Sequence, residues 1–581
     1  MSLSVSLQTA LSGLHAVQTA LQVTSNNIAN ANTEGYTRKI VAPIPILVAG
    51  MGAGVDVSDI SRQVNETLIR DMRGQLGGLG MLRVEDEFFT RMQDLFGTLS
   101  SGTSLTATVS GLAAAFEAFA AFPEDPVRGQ QLVAAAQALT RQFNDGAREV
   151  QTMRADADRG ITDALTVVNT QLTAIADLND QIARDRAAGE PTAALEDQRD
   201  LALTTLAEYI DINTFERPTG ETVVMTKSGR MLLDGAAPTL THTPAAGVDV
   251  SVAYPVGFDG INLNGVDITT ELTGGRIGAL IAMRDTTLPN LAAELDGLAN
   301  SLFDEINAIH NDGAAFPPPN ALTGTRAIAG ADAFAGTGTT RIAITDANGD
   351  LVAPPVELDL ALYATVGDLV TAIDTALGAN GSASIVGGNL VISAAVSTNG
   401  VAINENDTDI GGRGLSHHFG LNDFFTGDAT VSLARNIAVR AAIVQTPALV
   451  SHTELLAAAA LAGDTAVTAG GTAIGQRLAA KFDEALAYAA AGELGATTAT
   501  FADYSAQILS VNAAQAAEAG DSLAFKQTLY ADIKFRADSV AGVNIDEEMA
   551  NLIQLQNAFA AVARVITVTS ELMDTLNEIP A

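Results

Sequence analysis

The chain has 581 residues, enough for three or four domains at roughly 100–200 residues each. Its 67 acidic side chains against 31 basic ones leave a net charge of −36, which disfavours nucleic acid and anionic membranes as partners because both call for positive surface. The absence of cysteine excludes disulfides, thiolate metal sites, iron–sulfur clusters and a cysteine nucleophile.

From residue 1 to residue 33 there is no Asp, Glu, Lys or Arg. The pattern is nevertheless helical. Leu7, Ala10, Leu14, Val17, Leu21, Thr24 and Ile28 recur in alternating steps of three and four, which lines one helix face as an apolar seam. The other face carries Gln8, Gln18, Gln22, Ser25, Asn26 and Asn27, polar but uncharged. Surface helices normally carry charge, so this helix is expected to lie among other polypeptides. The first basic residue is Arg38, so no basic leader and no secretory signal are expected.

Residues 30–36 (NANTEGY) have the Asn and Gly of a turn, and 37–48 and 54–60 read as extended segments joined around 50–54. A long helical region follows from Val64, with breaks expected near 100–104 and 123–126 and weak points at Gly146 and Gly160. Pro191 restarts a helix that reaches Tyr209. Residues 211–271 change to short strands, with Gly229 and Gly235 between apolar triplets. Helix returns over 274–311, and Pro317–319 open a linker rich in Gly and Thr.

A second insert is expected to hold strands at 341–345 and 351–358 around an Asn348-Gly349 turn, a helix at 366–377, and strands near 383–386, 390–393 and 401–404. Helices are expected again at 475–491 and 500–540. The apolar run at 455–463 is far shorter than the ~20 residues that cross a bilayer, so no membrane insertion is expected. Near the C-terminus Leu552, Leu555, Phe559, Val562, Ile566, Thr569, Met573 and Leu576 form a second seam, preceded by Asp546, Glu547 and Glu548 in the first turn. One apolar seam offsets only part of the entropy of ordering such helices, so both ends are expected to be mobile in a monomer and ordered in an assembly.

These elements predict a multidomain α+β chain. Its elongated helical core combines paired N- and C-terminal helices with a long helical bundle, and two β-rich outer domains are inserted into it. The expected limits are 1–36 and 543–581 for the terminal coiled-coil helices, and 37–210, 272–320 and 411–542 for the helical body. The small β-rich domain spans 211–271, and an α/β or β-rich insert spans 321–410.

Chemistry-bearing sets are sparse. His417-His418 are adjacent, which does not aim two ligands at one point, and no His or carboxylate spacing accompanies them. Asp346, Asn348 and Asp350 resemble the start of a calcium loop, but Gly349 stands fourth where such a loop needs Gly sixth. Gly336 and Gly338 are a fragment of a glycine-rich phosphate loop with Arg341 in place of the last Gly. Glu547-Glu548 and Glu196-Asp197 suit helix starts and solvated faces, and Ser416 has no nucleophile elbow around it. No catalytic, cofactor-binding or metal-ligating set is therefore assigned, and an enzyme is not expected.

The two ends resemble the flagellar axial family of rod, hook and hook-associated proteins. The N-terminal match is ALSGLHAVQTALQVTSNNIANANTEGYTRK at 10–39, and the C-terminal match is VNIDEEMANLIQLQNAFAAVARVITVTSELMDTL at 543–576. Three internal stretches, at 195–210, 274–313 and 414–425, are similar to the hook-associated members and absent from the shorter rod proteins. Phe559 stands where the family usually has Tyr, and His418 where Phe is common.

The resemblance implies a hollow tube whose innermost layer is made of the paired terminal helices. The assembly interface would comprise Leu7, Leu14, Val17, Leu21, Ile28, Leu552, Leu555, Phe559, Val562, Ile566, Met573 and Leu576, with Glu34, Gly35, Tyr36 and Arg38 turning the chain out of that layer. It further implies a self-assembled ring that joins hook to filament, with hook protein on one side and a second hook-associated or filament protein on the other. Export without a cleavable signal and an extracellular location also follow, and the mobile, seam-bearing C-terminal helix is itself suited to engaging an export chaperone. The alternatives are another axial subunit (hook or filament protein) or a surface adhesin that uses the outer domains.

Overall fold

The computed structural model describes residues 3–48, 50–97, 102–405 and 407–577. Helix α1 spans Leu3–Asn30, and strands β1 (Lys39–Val48) and β2 (Met51–Arg62) form an antiparallel hairpin. Gly54 of β2 has φ 141°, and a Cβ there would stand 2.4 Å from Ser12 Oγ on α1, so glycine is what lets the hairpin lie against the helix. Ser12 Oγ in turn accepts the Val55 N–H at 3.0 Å.

The body begins with α2 (Glu66–Phe96), α3 (Leu105–Ala121) and α4 (Pro126–Ala188). Each start is chemically marked. Asn65 caps α2 through the N–H groups of Thr67 and Leu68, Ser104 caps α3, and Asp125 with Pro126 opens α4. The interruption expected near 100–104 falls between α2 and α3, where residues 98–101 lie outside the described residues. Helix α4 has 63 residues, about 95 Å at 1.5 Å per residue, and ends at Gly189 in the left-handed conformation. Gly146 and Gly160 do not weaken it. A Cβ at either would meet Phe96 or Leu280 within 3.4 Å, so both are close-packing positions in an unbroken helix.

After α5 (Ala193–Tyr209) come two small antiparallel sheets, β3 (Ile212–Glu216), β4 (Thr222–Thr226) and β5 (Met231–Leu233), then β6 (Leu240–Thr241), β7 (Asn262–Leu263) and β8 (Val266–Asp267). Helix α6 (Gly275–Ala282) passes through a π turn at Met283–Thr287 into α7 (Leu288–Asn311). Apolar residues of α2 to α7 and of these sheets share one continuous core.

The second insert contains β9 (Ala321–Thr323), β10 (Thr339–Thr345), β11 (Val356–Asp359), α8 (Val366–Leu377), β12 (Gly381–Val386), β13 (Asn389–Ala394) and β14 (Gly400–Asn404). They form two three-stranded sheets ordered β11-β10-β14 and β12-β13-β9 around a separate core that also takes in Leu415, Phe419 and Leu421. Two expectations change here. The strand expected at 351–358 is confined to β11 because Pro354 and Pro355 cannot donate to a ladder. The stretch expected as linker after Pro319 contributes β9, whose Leu322 is buried beside β13. Asp346 Oδ1 accepts the N–H groups of Asn348 and Asp350 at 2.8 and 3.1 Å, closing a tight turn at Gly349 (φ 85°).

Short elements follow: α9 (Leu415–Phe419), β15 (Phe425–Thr426), α10 (Leu433–Asn436), β16 (Ala438–Val439) and α11 (Ala441–Gln445). His417 on α9 is buried, and burial with Arg413 and Arg326 nearby pushes its pKa down to about 3, so it packs as a neutral ring. Helix α12 (Ala473–Ala480) is much shorter than the helix expected over 475–491. Beyond it β17 (Leu486–Tyr488) pairs with β18 (Thr497–Ala499), because Leu486 and Tyr488 are buried in a period of two and Tyr488 stacks on Tyr504. Helices α13 (Phe501–Ala541) and α14 (Ile545–Asn577) complete the chain.

The loop between β17 and β18 rests on a buried acid. Glu294 of α7 is 1% exposed, and its Oε1 accepts the Glu493 N–H at 2.9 Å. Burial, opposed by that hydrogen bond, pushes Glu294 up to about 7. A carboxyl raised on folding contributes stability below its unfolded pKa and loses it as pH rises through the folded value. Glu294→Gln is therefore expected to stabilise the protein at pH 8, on the order of 3 kcal/mol for a rise from 4.5 to about 7, and to change little at pH 4. Thermal melts at the two pH values check this.

Candidate functional site

The two ends of the chain meet at a joint. Asn27, near the end of α1, lies against Glu548 in the first turn of α14, so the two helices run antiparallel. Most of the expected seam is half-buried along this pair: Leu7, Leu14, Val17, Leu21 and Ile28 on α1, and Leu552, Leu555, Phe559, Val562, Ile566 and Met573 on α14. Ala10, Thr24 and Thr569 are buried. The Leu576 side chain lies outside the described residues.

Asn27 belongs to the wrong face in the sequence pattern, yet it is 1% exposed. It donates to Lys39 O at 2.9 Å and to Glu548 Oε2 at 3.1 Å. Its own Oδ1 accepts the Tyr36 hydroxyl at 2.9 Å and the Lys39 N–H at 3.1 Å. One amide thus binds the helix pair to the turn and to the first strand. Burial, then the charges of Asp197 and Glu548, push the Tyr36 phenol up to about 12, so it stays a donor.

The four turn residues fare differently. Glu34 is exposed. Gly35 takes φ 77°, which favours glycine, and an added Cβ would stand 3.5 Å from Leu201. Tyr36 and Arg38 are engaged. Arg38 Nε reaches Glu548 Oε1 at 2.8 Å, and the Arg38 N–H donates to Ala541 O at 2.7 Å. The carboxylates Glu547 and Glu548, expected only to complement a helix start, therefore also anchor the N-terminal segment, Glu548 from a buried position.

Below the joint lies a second ionic group that the sequence pattern does not disclose. Asp197 of α5 accepts Thr37 N–H at 3.1 Å and Thr37 Oγ1–H at 2.6 Å, and it also binds Lys39 Nζ. Arg62, at the end of β2, contacts Glu196 at 2.9 Å, Asp197 at 3.4 Å and Asp200 at 2.6 Å. The Lys39 ammonium sits 3.5 Å from the centre of the Tyr36 ring. The terminal pair is thus fastened to the body by hydrogen bonds and ion pairs.

Outside the seam, α14 leaves two apolar patches exposed. Ile545, Met549 and Ile553 are 45–55% exposed, and Val565, Val568 and Leu572 are 47–55% exposed. At helical spacing the two sets fall on opposite flanks of the seam. The hairpin adds Ile44, Leu47 and Val48, also exposed. Isolated apolar side chains on a surface are ordinary, but sets of this size mark contact surfaces.

Comparison with known proteins agrees with these ends and this body. Residues 89–320 match the family model for the flagellar hook-associated protein FlgK helical domain. Residues 7–37 match the flagella basal body rod protein family, and 537–579 match the flagellar basal body rod FlgEFG protein C-terminal family. Flagellar hook-associated protein 1 of Salmonella typhimurium is 28% identical over 315 residues, covering 52% of this chain and 56% of that protein. The Escherichia coli protein of the same name is 26% identical over 315 residues, covering 53% and 57%. The chain thus matches a little over half the length of these relatives. A solved structure, the flagellar hook junction protein FlgK from Burkholderia pseudomallei, aligns with a TM-score of 0.47 at 15% identity, covering 81% of this chain and 100% of that one. The chain is similar to flagellar hook-associated protein 1 of these bacteria, with matches to rod-protein family models at both ends and to the hook-associated helical domain model between them.

Proposed function

We propose that this chain is a structural subunit of the bacterial flagellum, outside the cell, which self-assembles through its terminal helices into a ring joining hook to filament. The observation that carries this reading is the antiparallel α1–α14 pair, with a charge-free N-terminal helix on one side and two exposed apolar patches on the other. Within one chain the seam is occupied by pairing α1 with α14. Contact between copies then falls to the patches on either flank. A closed ring needs two different complementary surfaces on each subunit, and two opposite flanks meet that need.

In this reading 1–36 and 543–581 form the inner layer and 37–210, 272–320 and 411–542 the surrounding body. Segments 211–271 and 321–410 project outward. Hook protein lies on one side and a second hook-associated or filament protein on the other, and a chaperone engages α14 before export. The role is structural and not enzymatic. The test is deletion of residues 1–33. The truncated protein should retain a folded centre by circular dichroism and limited proteolysis, yet fail to enter the flagellum. Normal filaments from that mutant would refute the reading.

A further inference from the structure

Asn-Gly occurs four times in the chain, at 264–265, 348–349, 380–381 and 399–400. Glycine leaves the nitrogen after each asparagine without a side chain to shield it, so all four steps carry the same local chemistry. What differs is how the fold holds the peptide plane between the two residues.

Three of the planes are fastened. The Gly349 N–H donates to Asp346 O at 3.1 Å, and the Asn348 side-chain amide donates to Asp346 Oδ2 at 3.3 Å. Asn380 O accepts the Ala395 N–H at 2.9 Å, and Asn399 O accepts the Asn320 side-chain amide at 2.9 Å. Gly349, Gly381 and Gly400 are all buried, the last two as the first residues of β12 and β14.

The fourth plane is free. Asn264 and Gly265 form the two-residue loop of the β7–β8 hairpin, between the paired Leu263 and Val266. Both are exposed, and no hydrogen bond among the described residues holds the Asn264 side chain, its carbonyl or the Gly265 N–H. Their φ values of 51° and 80° make a type I′ turn. Turning over the central peptide plane converts type I′ into type II′, which also suits a hairpin and keeps φ positive at Asn264. That rotation swings the Gly265 nitrogen toward Cγ of Asn264 while the strands stay paired.

We propose that Asn264 is a site of spontaneous covalent modification, the Asn-Gly step at which the folded chain preferentially deamidates. The Gly265 nitrogen bonds to Asn264 Cγ and gives up its proton, the bond from Cγ to the side-chain nitrogen breaks, and ammonia leaves a cyclic imide. Water then adds to either imide carbonyl and opens the ring to aspartate or isoaspartate, with no oxidant or reductant consumed. Either product adds a negative charge at the hairpin tip. Isoaspartate also routes the backbone through the side chain, and the extra atom in so short a loop disturbs the register of Asn262 with Asp267. Ile261, Leu263 and Ile268 stay buried in the body core, so the change is local. The reaction requires no second copy and is independent of the assembly reading.

The experiment is incubation of the full chain at pH 8, followed by peptide mapping with mass spectrometry and labelling by an isoaspartate-specific methyltransferase. Conversion at Asn264 is expected to run about tenfold or more ahead of Asn348, Asn380 and Asn399, the ratio that ~1.4 kcal/mol of local opening imposes on a held peptide. In denaturant the four sites should convert at similar rates, because only the fold tells them apart. Asn264→Gln should abolish isoaspartate at this position, since its longer side chain closes a ring far more slowly, and leave the other three sites unchanged. Asn264 left intact in the folded chain over the time in which the denatured chain reacts overturns the proposal, as does equal conversion of all four sites in the folded chain. A preference for Asn264 that persists in denaturant overturns it too, since neighbours in sequence rather than the turn would then select the site.

Discussion

Ile553→Asp is expected to leave the monomer folded and to abolish its incorporation into the flagellum, and Val568→Asp to do the same through the opposite flank of α14. Ile553 is 55% exposed and Val568 47% exposed, so neither substitution opens a cavity in the single chain. Exposed substitutions of this kind usually fall within about 0.5 kcal/mol, and the melting temperature should barely move. In the proposed assembly the same positions become covered. Burying an isoleucine contributes roughly 1.5–3 kcal/mol, and an unpaired carboxylate in its place adds a desolvation penalty of several kcal/mol more. The sum exceeds ~3 kcal/mol per contact, more than a hundredfold in association, repeated at every subunit boundary.

The contrast is Leu552→Asp, one residue away but on the seam, which should lower the stability of the single chain as well. Melting curves with antibody labelling of isolated flagella separate the two cases. Normal incorporation of a folded Ile553→Asp protein would sink the assignment of this flank to contact between copies.

The seam was legible because a three-four spacing survives in one dimension, and so were the hairpin at 39–62 and the helix breaks near 100–104 and 123–126, where Ser104 and Asp125 turn out to cap the next helices. What binds the ends together was not. Asn27 looks like one more polar residue on an outer face, and nothing local distinguishes it from Asn26. Its partner Glu548 stands 521 residues away. Asp197 likewise reads as a solvated carboxylate beside Glu196, while its partners Lys39 and Arg62 lie 158 and 135 residues earlier. A signal did exist: the run from Tyr36 to Lys39 places the first two cations of the chain beside the only aromatic of its first 87 residues. Read as a buried site in need of anions, that run points to carboxylates elsewhere. The helix expected over 475–491 failed for a different reason. Alanine-rich sequence carries high helix propensity, and burial of Leu486 and Tyr488 against the body overrides it.

Asp197→Ala is expected to detach the hairpin from the body while the central core stays folded. The carboxylate holds two hydrogen bonds from Thr37 and contacts two cations, and the Lys39 and Arg62 side chains are 9% and 7% exposed. Removing the shared anion leaves charge buried without its full complement, a loss of about 3–5 kcal/mol for a buried pair broken from one side. Arg62 keeps Glu196 and Asp200, so the deficit concentrates on Lys39 and on Thr37. Asp197→Asn should cost less, since an amide oxygen still accepts from Thr37.

The same joint should yield to acid. Burial raises the pKa of Asp200, but Arg73 and Arg62 outweigh it and hold the group below its ordinary value; Thr192 and Arg62 do the same for Glu196. A carboxyl lowered on folding contributes stability above its unfolded pKa and loses it as pH falls through the folded value. The hairpin should therefore hold down to the ordinary carboxylate range near pH 4 and release below it. Glu294 acts in the opposite sense, since protonation on the way from pH 8 to pH 5 relieves its burial. Hydrogen exchange should accordingly report opening of 37–62 in acid before opening of the α7 region. In Asp197→Ala the same opening should appear already at pH 7. Unchanged protection of 37–62 in that variant would mean that β-pairing and the Asn27 contacts suffice, and that the ionic group below the joint does not hold the ends to the body.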